Sequence, residues 1–243
     1  MIHYHGLPIS PGTAAAVAIH AGHAFVSFAH QQQLSIAIEV SQSFAIDNGA
    51  FSAWKSGNPV KDWSGYYDFV AQMIGIPNFD WAVIPDIIDG TESQNDDMIA
   101  QWPHGKFYGV PVWHMHESLL RLNDLATAFP RICIGSSRQF ATIGTKSWID
   151  RMDDAMMTIC DGDGKPKVKI HGLRMLDPTV FTKYPFASAD STNIGRNVGI
   201  DQKWKGTYLP HAKESRALVM RGRIESSNAP SRYVPSVRQG EMW

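Results

Sequence analysis

The chain predicts an α/β fold, a (β/α)8 TIM-like barrel with a short basic C-terminal extension. Three observations carry that expectation. Eight short apolar runs recur along the sequence, the segments between the later ones have helical periodicity, and several runs end on acidic or other polar residues. A doubly wound sheet produces much the same pattern over most of the chain and stays open as an alternative. With 243 residues, 44% of them hydrophobic, the chain can build a sizeable single core. We divide it into a barrel over 1–194 and a basic helix and tail over 195–243 that pack on the barrel.

The expected strands are 2–7, 24–28, 43–48, 80–86, 107–115, 131–137, 168–174 and 185–191, each a short apolar run followed by a stretch of helical character or by a Gly, Pro or Asp break. An alanine-rich helical segment follows the first strand, to about Gly22. Between the later strands the helices are expected at 63–74, 91–102, 117–129, 147–159 and, briefly, 178–184. Leu119, Leu120, Leu122, Leu125, Ala126 and Phe129 show the three- and four-residue spacing that packs a helix on a sheet. The connection 28–43, containing Gln31-Gln32-Gln33, is expected to be irregular. After Asn193 the chain reads as a loop, a helix over 211–224, and a Ser/Pro/Arg-containing end.

No apolar run approaches the roughly 18 residues of a membrane helix, and the N-terminus does not pair a basic start with a long apolar core. The expectation is a soluble cytoplasmic protein with no membrane partner. Cys133 and Cys160 fall in apolar surroundings and imply no disulfide framework. The net charge of −1 hides an asymmetry: from Gly195 onward nine Lys and Arg stand against four Asp and Glu, so that segment carries +5 and the rest −6. A polyanion-binding tail has that balance, and so does a solvated surface helix.

The polar residues at the strand ends carry the functional argument. They are Asp47-Asn48-Gly49-Ala50-Phe51, Pro85-Asp86, Trp113-His114, Gly135-Ser136-Ser137, His171-Gly172-Leu173 and Asp190-Ser191. In a barrel the three aspartates converge on one mouth. Two carboxylates in different environments can divide into nucleophile and general acid/base, the arrangement that breaks and remakes a glycosidic bond. A third can accept hydrogen bonds from the amine and ring N–H of a purine-like base. Phe51 and His171 could stack on a flat ring. Singly, each aspartate also reads as a turn or helix-cap residue, and each ring as core packing.

At these residues the chain resembles a known family. Asp47-Asn48-Gly49-Ala50-Phe51 is similar to the Asp-Ser-Gly-Gly-aromatic motif of the tRNA-guanine transglycosylases, and 186–193 resembles their late strand with its nucleophilic aspartate. The Asp-Asn-Gly-Ala-Phe variant together with Asp190-Ser191-Thr192 is more similar to the 7-deazaguanine DNA transglycosylases of phages and bacterial genomic islands. The resemblance spans 2–193 in strand order, though its specific content is two short motifs and several single residues. It implies Asp190 as the nucleophile at C1′ of a target guanosine and Asp47 as the general acid/base. It further implies Asp86, Phe51, His171, Gly135, Ser136 and Trp113 as residues around the base. Trp113-His114 stands where the family has Gln-Gly, and Gly135-Ser136-Ser137-Arg138-Gln139-Phe140 only loosely echoes its Gly-Gly-Leu-Ala-Val-Gly loop, which leaves the incoming base undetermined. No cysteine follows Cys160, so the zinc site of the tRNA enzymes is not expected, nor any other cofactor. The implied partners are DNA, in preference to tRNA, and a free 7-deazaguanine base, with a homo-oligomer or an accessory protein possible. Arg196, Lys203, Lys205, Arg221 and Arg223 are the candidates for phosphate contacts.

Two other readings remain open at this point. His114-Met115-His116, with Asp190 nearby, could serve a metal-dependent barrel hydrolase, with His20 and His23 as a second spaced pair. The basic tail, with Trp204 and Tyr208 interleaved, could belong to a non-enzymatic nucleic-acid-binding protein.

Overall fold

The structure, a computed structural model, describes residues 1–205 and 207–235. Arg238 and Glu241, which enter the charge balance of the tail, lie outside the described residues. The strands are β1 (Ile2–Gly6), β2 (His23–Ser27), β3 (Ser43–Asp47), β4 (Phe79–Val83), β5 (Gly109–Val110), β6 (Val112–His114), β7 (Arg131–Gly135), β8 (Lys169–Gly172) and β9 (Ser188–Ser191). All pair in parallel within one sheet, in the order β5-β4-β3-β2-β1-β9-β8-β7-β6. Its two ends, β5 and β6, are separated along the chain by Pro111 alone. Proline has no N–H to give to a ladder, but the Pro111 carbonyl still accepts from Cys133 N–H at 2.8 Å. The result is a nearly closed, barrel-like sheet surrounded by helices.

Side-chain alternation along the strands separates two cores. Tyr4, Phe25, Ala45, Trp81, Val83, Val110, Val112 and Cys133 pack together inside the sheet, a filled interior of the kind parallel barrels have. The larger core lies between sheet and helices and includes Ile46, Ile84, Trp113, Ile134, Leu122 and Met152. Because every strand runs the same way, all their C-terminal ends open at one mouth.

The strands fall where the apolar runs are, with ends shifted or shortened by one to a few residues, and the run 107–115 is divided at Pro111 into β5 and β6. Three connections differ from expectation. The connection 28–43 contains a helix, Leu34–Val40, at whose start Gln33 accepts from Ile9 N–H at 2.9 Å and donates to the Ile9 carbonyl at 2.6 Å. A short helix, Ala50–Lys55, follows β3 directly, entered through Gly49 at φ +82°. Phe107, expected in a strand, sits in the helical turn Gly105–Tyr108 and is 84% exposed, since Gly105 at φ +74° turns the chain before β5 begins.

The helix Lys213–Glu225 lies along the helix Gly12–Ile19. Ala217 is buried between them, Thr13 donates to Glu214, and Arg221 donates to the His20 carbonyl at 2.7 Å. A Cβ at Gly22 would fall 2.7 Å from an Arg221 nitrogen, so glycine there admits the guanidinium. Arg221 also donates to Glu225 at 2.9 Å, and His5 Nε2 lies 3.0 Å from the same carboxylate. Burial alone would raise the Glu225 carboxyl, but these hydrogen bonds overcome it and hold the group at about 2. Cys133 and Cys160 are both free and buried. Among the described residues no helix is long and apolar enough to cross a membrane.

Candidate active site

Asp47 is the last residue of β3 and faces the mouth. Its carboxyl is pushed up to about 7, first by burial, then by the negative charges of Asp190 and Asp86; Ser27 and the Gly49 N–H, 3.2 Å from Oδ2, offset part of this. Three aspartates from separate strands therefore do meet in one field. They are not at equivalent strand positions, however: Asp190 is third of the four residues in β9, and Asp86 lies three residues beyond β4.

Asp190 is held on one oxygen. Its Oδ1 accepts from the Arg174 N–H at 2.8 Å and pairs with His171 Nε2 at 3.2 Å, while Oδ2 has no hydrogen-bond partner among the described residues. His171 Nδ1 lies 2.8 Å from the Ser188 hydroxyl. Burial lowers the His171 pKa, against the pull of Asp190, so the ring is neutral. A single tautomer then satisfies both contacts, with Nε2–H donating to Asp190 and Nδ1 accepting from Ser188. Such a chain fixes the carboxylate through one oxygen and leaves the second without a hydrogen-bond partner among the described residues.

Asn48 joins Asp86 to this site. Its amide donates to Asp86 Oδ1 at 2.7 Å and to the Ile84 carbonyl at 3.0 Å, and its oxygen accepts from Ala50 N–H at 2.7 Å. On the other side His114 Nε2 lies 2.9 Å from Asp86 Oδ2, an ion-pair distance without hydrogen-bond alignment. Phe51, half-buried in the first turn of Ala50–Lys55, is covered by the Arg174 guanidinium, whose carbon is 4.0 Å from the ring centroid. At the rim, Trp54, 41% exposed, donates to Asp89 at 2.6 Å, and Arg138 donates to the Asp89 carbonyl at 2.9 Å.

Several expected base-contacting residues do not line the mouth. His171 is 0% exposed, with its ring 4.8 Å from Trp81 and 5.4 Å from Phe25; it lies under Asp190 and cannot stack on a ligand. Trp113 is 0% exposed in the core between sheet and helices, its indole donating to the Ser118 carbonyl at 3.0 Å. Its neighbour His114 holds the inward position. The Gly135 carbonyl is taken by Met115 N–H at 2.9 Å and the Ser136 hydroxyl by Trp148 at 2.9 Å. Gly135 contributes space instead: a Cβ there would meet Val112 at 3.2 Å and His114 at 3.6 Å.

Of the five tail cations, Arg196 is exposed on the short helix that leaves β9, close enough to repel Arg174. Lys203 and Lys205 are exposed. Arg221 is engaged by Glu225 and His20, and Arg223 lies 5.0 Å from the ring centroid of Trp204, itself buried.

The rings of His114 and His116 stack at 5.7 Å and 29°, and His116 is tied to the Ser137 hydroxyl at 2.7 Å, so their nitrogens do not converge. His20 ends its helix and His23 opens β2, paired with the Ser43 hydroxyl at 2.8 Å. Among the described residues no group of three or more His, Cys, Asp or Glu is arranged to hold a metal ion.

No protein-family model matches the chain, and no curated protein matches its sequence.

Proposed function

We propose that the protein is a base-exchanging transglycosylase that replaces guanine in DNA with a 7-deazaguanine through a covalent aspartyl-sugar intermediate. The observation that carries this reading is the difference between two mouth carboxylates, Asp190 with one oxygen pinned and one free, and Asp47 pushed up to about 7. The architecture agrees with it. Taking β5 and β6 as two halves of one strand interrupted at Pro111 makes the sheet eight-stranded and the fold a (β/α)8 barrel, whose chemistry sits at the C-terminal strand ends.

In this mechanism Asp190 Oδ2 attacks C1′, the C1′–N9 bond breaks, and its electron pair leaves with guanine, which receives a proton from Asp47. The incoming base then loses its N9 proton to Asp47, and N9 attacks C1′ and displaces Asp190. Atoms and charge balance over the two steps, and Asp47 ends as it began. A carboxyl near 7 suits both halves, because the same group has to give and take a proton at neutral pH. Asp86, held by Asn48, is the acceptor for the donor edge of the purine. His171 and Ser188 orient the nucleophile from below. The target base has to leave the stack to present C1′, so DNA with an extruded or unpaired guanine is the substrate class.

The test is incubation with labelled guanine or 7-deazaguanine and DNA, followed by counting label in the polymer. Label should enter DNA, and Asp190→Asn should abolish both incorporation and any covalent protein–DNA adduct. No incorporation into DNA or tRNA with a range of free bases, or full activity of Asp190→Asn, would overturn the assignment.

A further inference from the structure

Arg174 belongs to none of the motifs that pointed to the site, yet it touches both Asp190 and Phe51. Its backbone is left-handed, at φ +62°. That conformation aims its N–H at Asp190 Oδ1, 2.8 Å away, and sends its side chain across the mouth onto Phe51, 4.0 Å from the ring centroid. Burial works against its charge and outweighs the other influences; Asp190 and Asp47 favour the charge, and Arg196 stands near enough to oppose it. A guanidinium is flat and stacks on an aromatic ring much as a nucleobase does. Base and guanidinium cannot share one face of Phe51.

We propose that Arg174 is a positioning residue for the target nucleotide: it holds the Phe51 face until a base displaces it, and the displaced cation then binds the phosphate flanking that nucleotide. The inference rests on the transglycosylase reading and adds to it the element that couples base entry to backbone capture. The geometry supports the coupling in two ways. The Cα is anchored beside the nucleophile through its own N–H, so the side chain pivots about a fixed point. Arg196, exposed on the helix that leaves β9, already contributes positive charge beside Arg174, so a displaced guanidinium would join a second cation.

Two variants separate this role from simple structural support. Arg174→Gly removes the side chain but keeps a residue at home in a left-handed backbone, preserving the N–H to Asp190. Arg174→Lys keeps the charge and loses the flat stacking group. Binding of free 7-deazaguanine and of a guanine-containing single-stranded oligodeoxynucleotide is measured for each, the latter across a salt series. Arg174→Gly should bind the free base roughly 3-fold tighter, since a competing stack is gone. It should bind the oligonucleotide several-fold more weakly, with a salt slope smaller by about 0.7, one single-strand phosphate contact. Arg174→Lys should keep the tighter base binding and recover the slope. A structural role would weaken both ligands together, and that result, unchanged binding of both, or an unrecovered slope in Arg174→Lys overturns the proposal. If wild-type protein exchanges bases and Arg174→Gly does so with the same KM for DNA, the transglycosylase reading stands and the positioning role falls. If wild-type protein neither binds nor exchanges a base, both fall.

Discussion

Asp47 shows how a carboxylate set among other carboxylates at a strand end burdens the fold that carries it. Its pKa is about 7 in the folded chain against an ordinary 3.8. Between those values the folded protein keeps a proton that the unfolded chain has lost, so Asp47 makes stability fall as pH rises from about 4 to about 7, with the full cost present above 7. Asp47→Asn removes the ionisable group while keeping its shape. It should abolish turnover and yet raise stability at pH 8 by about 2 kcal/mol, less than the full shift implies because the side chain is part-open to solvent. The gain should shrink toward zero near pH 4, as thermal unfolding of both proteins across that range would show; a gain independent of pH would mean that Asp47 is not held protonated. The alternation of side chains along a strand decides which site residues could be read from the sequence. Asp47 and Asp190 were visible as polar ends of apolar runs. Whether a strand-end side chain faces the axis or the helices, however, depends on a single-residue register. That is why Trp113, adjacent to an inward His114, belongs to the outer core, and why His171, inward but deeper than the mouth, supports Asp190 from below. Arg174 was hidden for a different reason: a left-handed backbone at a non-glycine residue leaves no pattern in the sequence.

At the scale of elements, the junction between β3 and the helix Ala50–Lys55 does the most to build the site. Gly49 at φ +82° turns the chain sharply enough for Asp47, Asn48 and Phe51 to address the same space. Asn48 ties that turn to the loop after β4 through Asp86 and the Ile84 carbonyl. Asn48→Ala breaks three buried hydrogen bonds and leaves the Ile84 carbonyl and Ala50 N–H without this partner. The expected cost is on the order of 2–3 kcal/mol in chemical denaturation. Affinity for the free base should fall as well, because Asp86 loses the contact that aims it; an Asn48→Ala protein of unaltered stability and affinity would show the tie to be incidental. The strands were legible because a buried parallel strand must be a short continuous apolar run with punctuation at each end. The two short helices after β2 and β3 were not. Each spans two turns or fewer, too little for periodicity to register, and depends on tertiary anchors such as Gln33 and Gly49.

For the whole molecule, the question is where the positive charge of the C-terminal segment acts. Read along the chain it forms one basic tail; folded, it is divided. Arg221 is consumed by Glu225 and by the His20 carbonyl. His20 ends the helix that runs back from the mouth after β1, so this contact lies at the end of the barrel opposite Asp190. Arg196 instead leaves the mouth on the helix that follows β9, exposed and without an ion-pair partner among the described residues. Arg221 is neutralised by its carboxylate partner while Arg196 keeps its charge, so of the two only Arg196 can meet the phosphates of a nucleotide seated at Asp190. Each DNA phosphate neutralised by the protein adds a fixed increment to the salt dependence of binding, about 0.7 for single strands. Arg196→Ala should therefore lower the slope for a guanine-containing single strand by about that amount and weaken binding at low salt. Arg221→Ala should leave the slope unchanged and instead lower the unfolding temperature slightly, because it removes a part-buried pair and uncovers Gly22. Equal slopes lost from both variants would mean that the tail binds DNA as a diffuse basic surface, independent of the mouth.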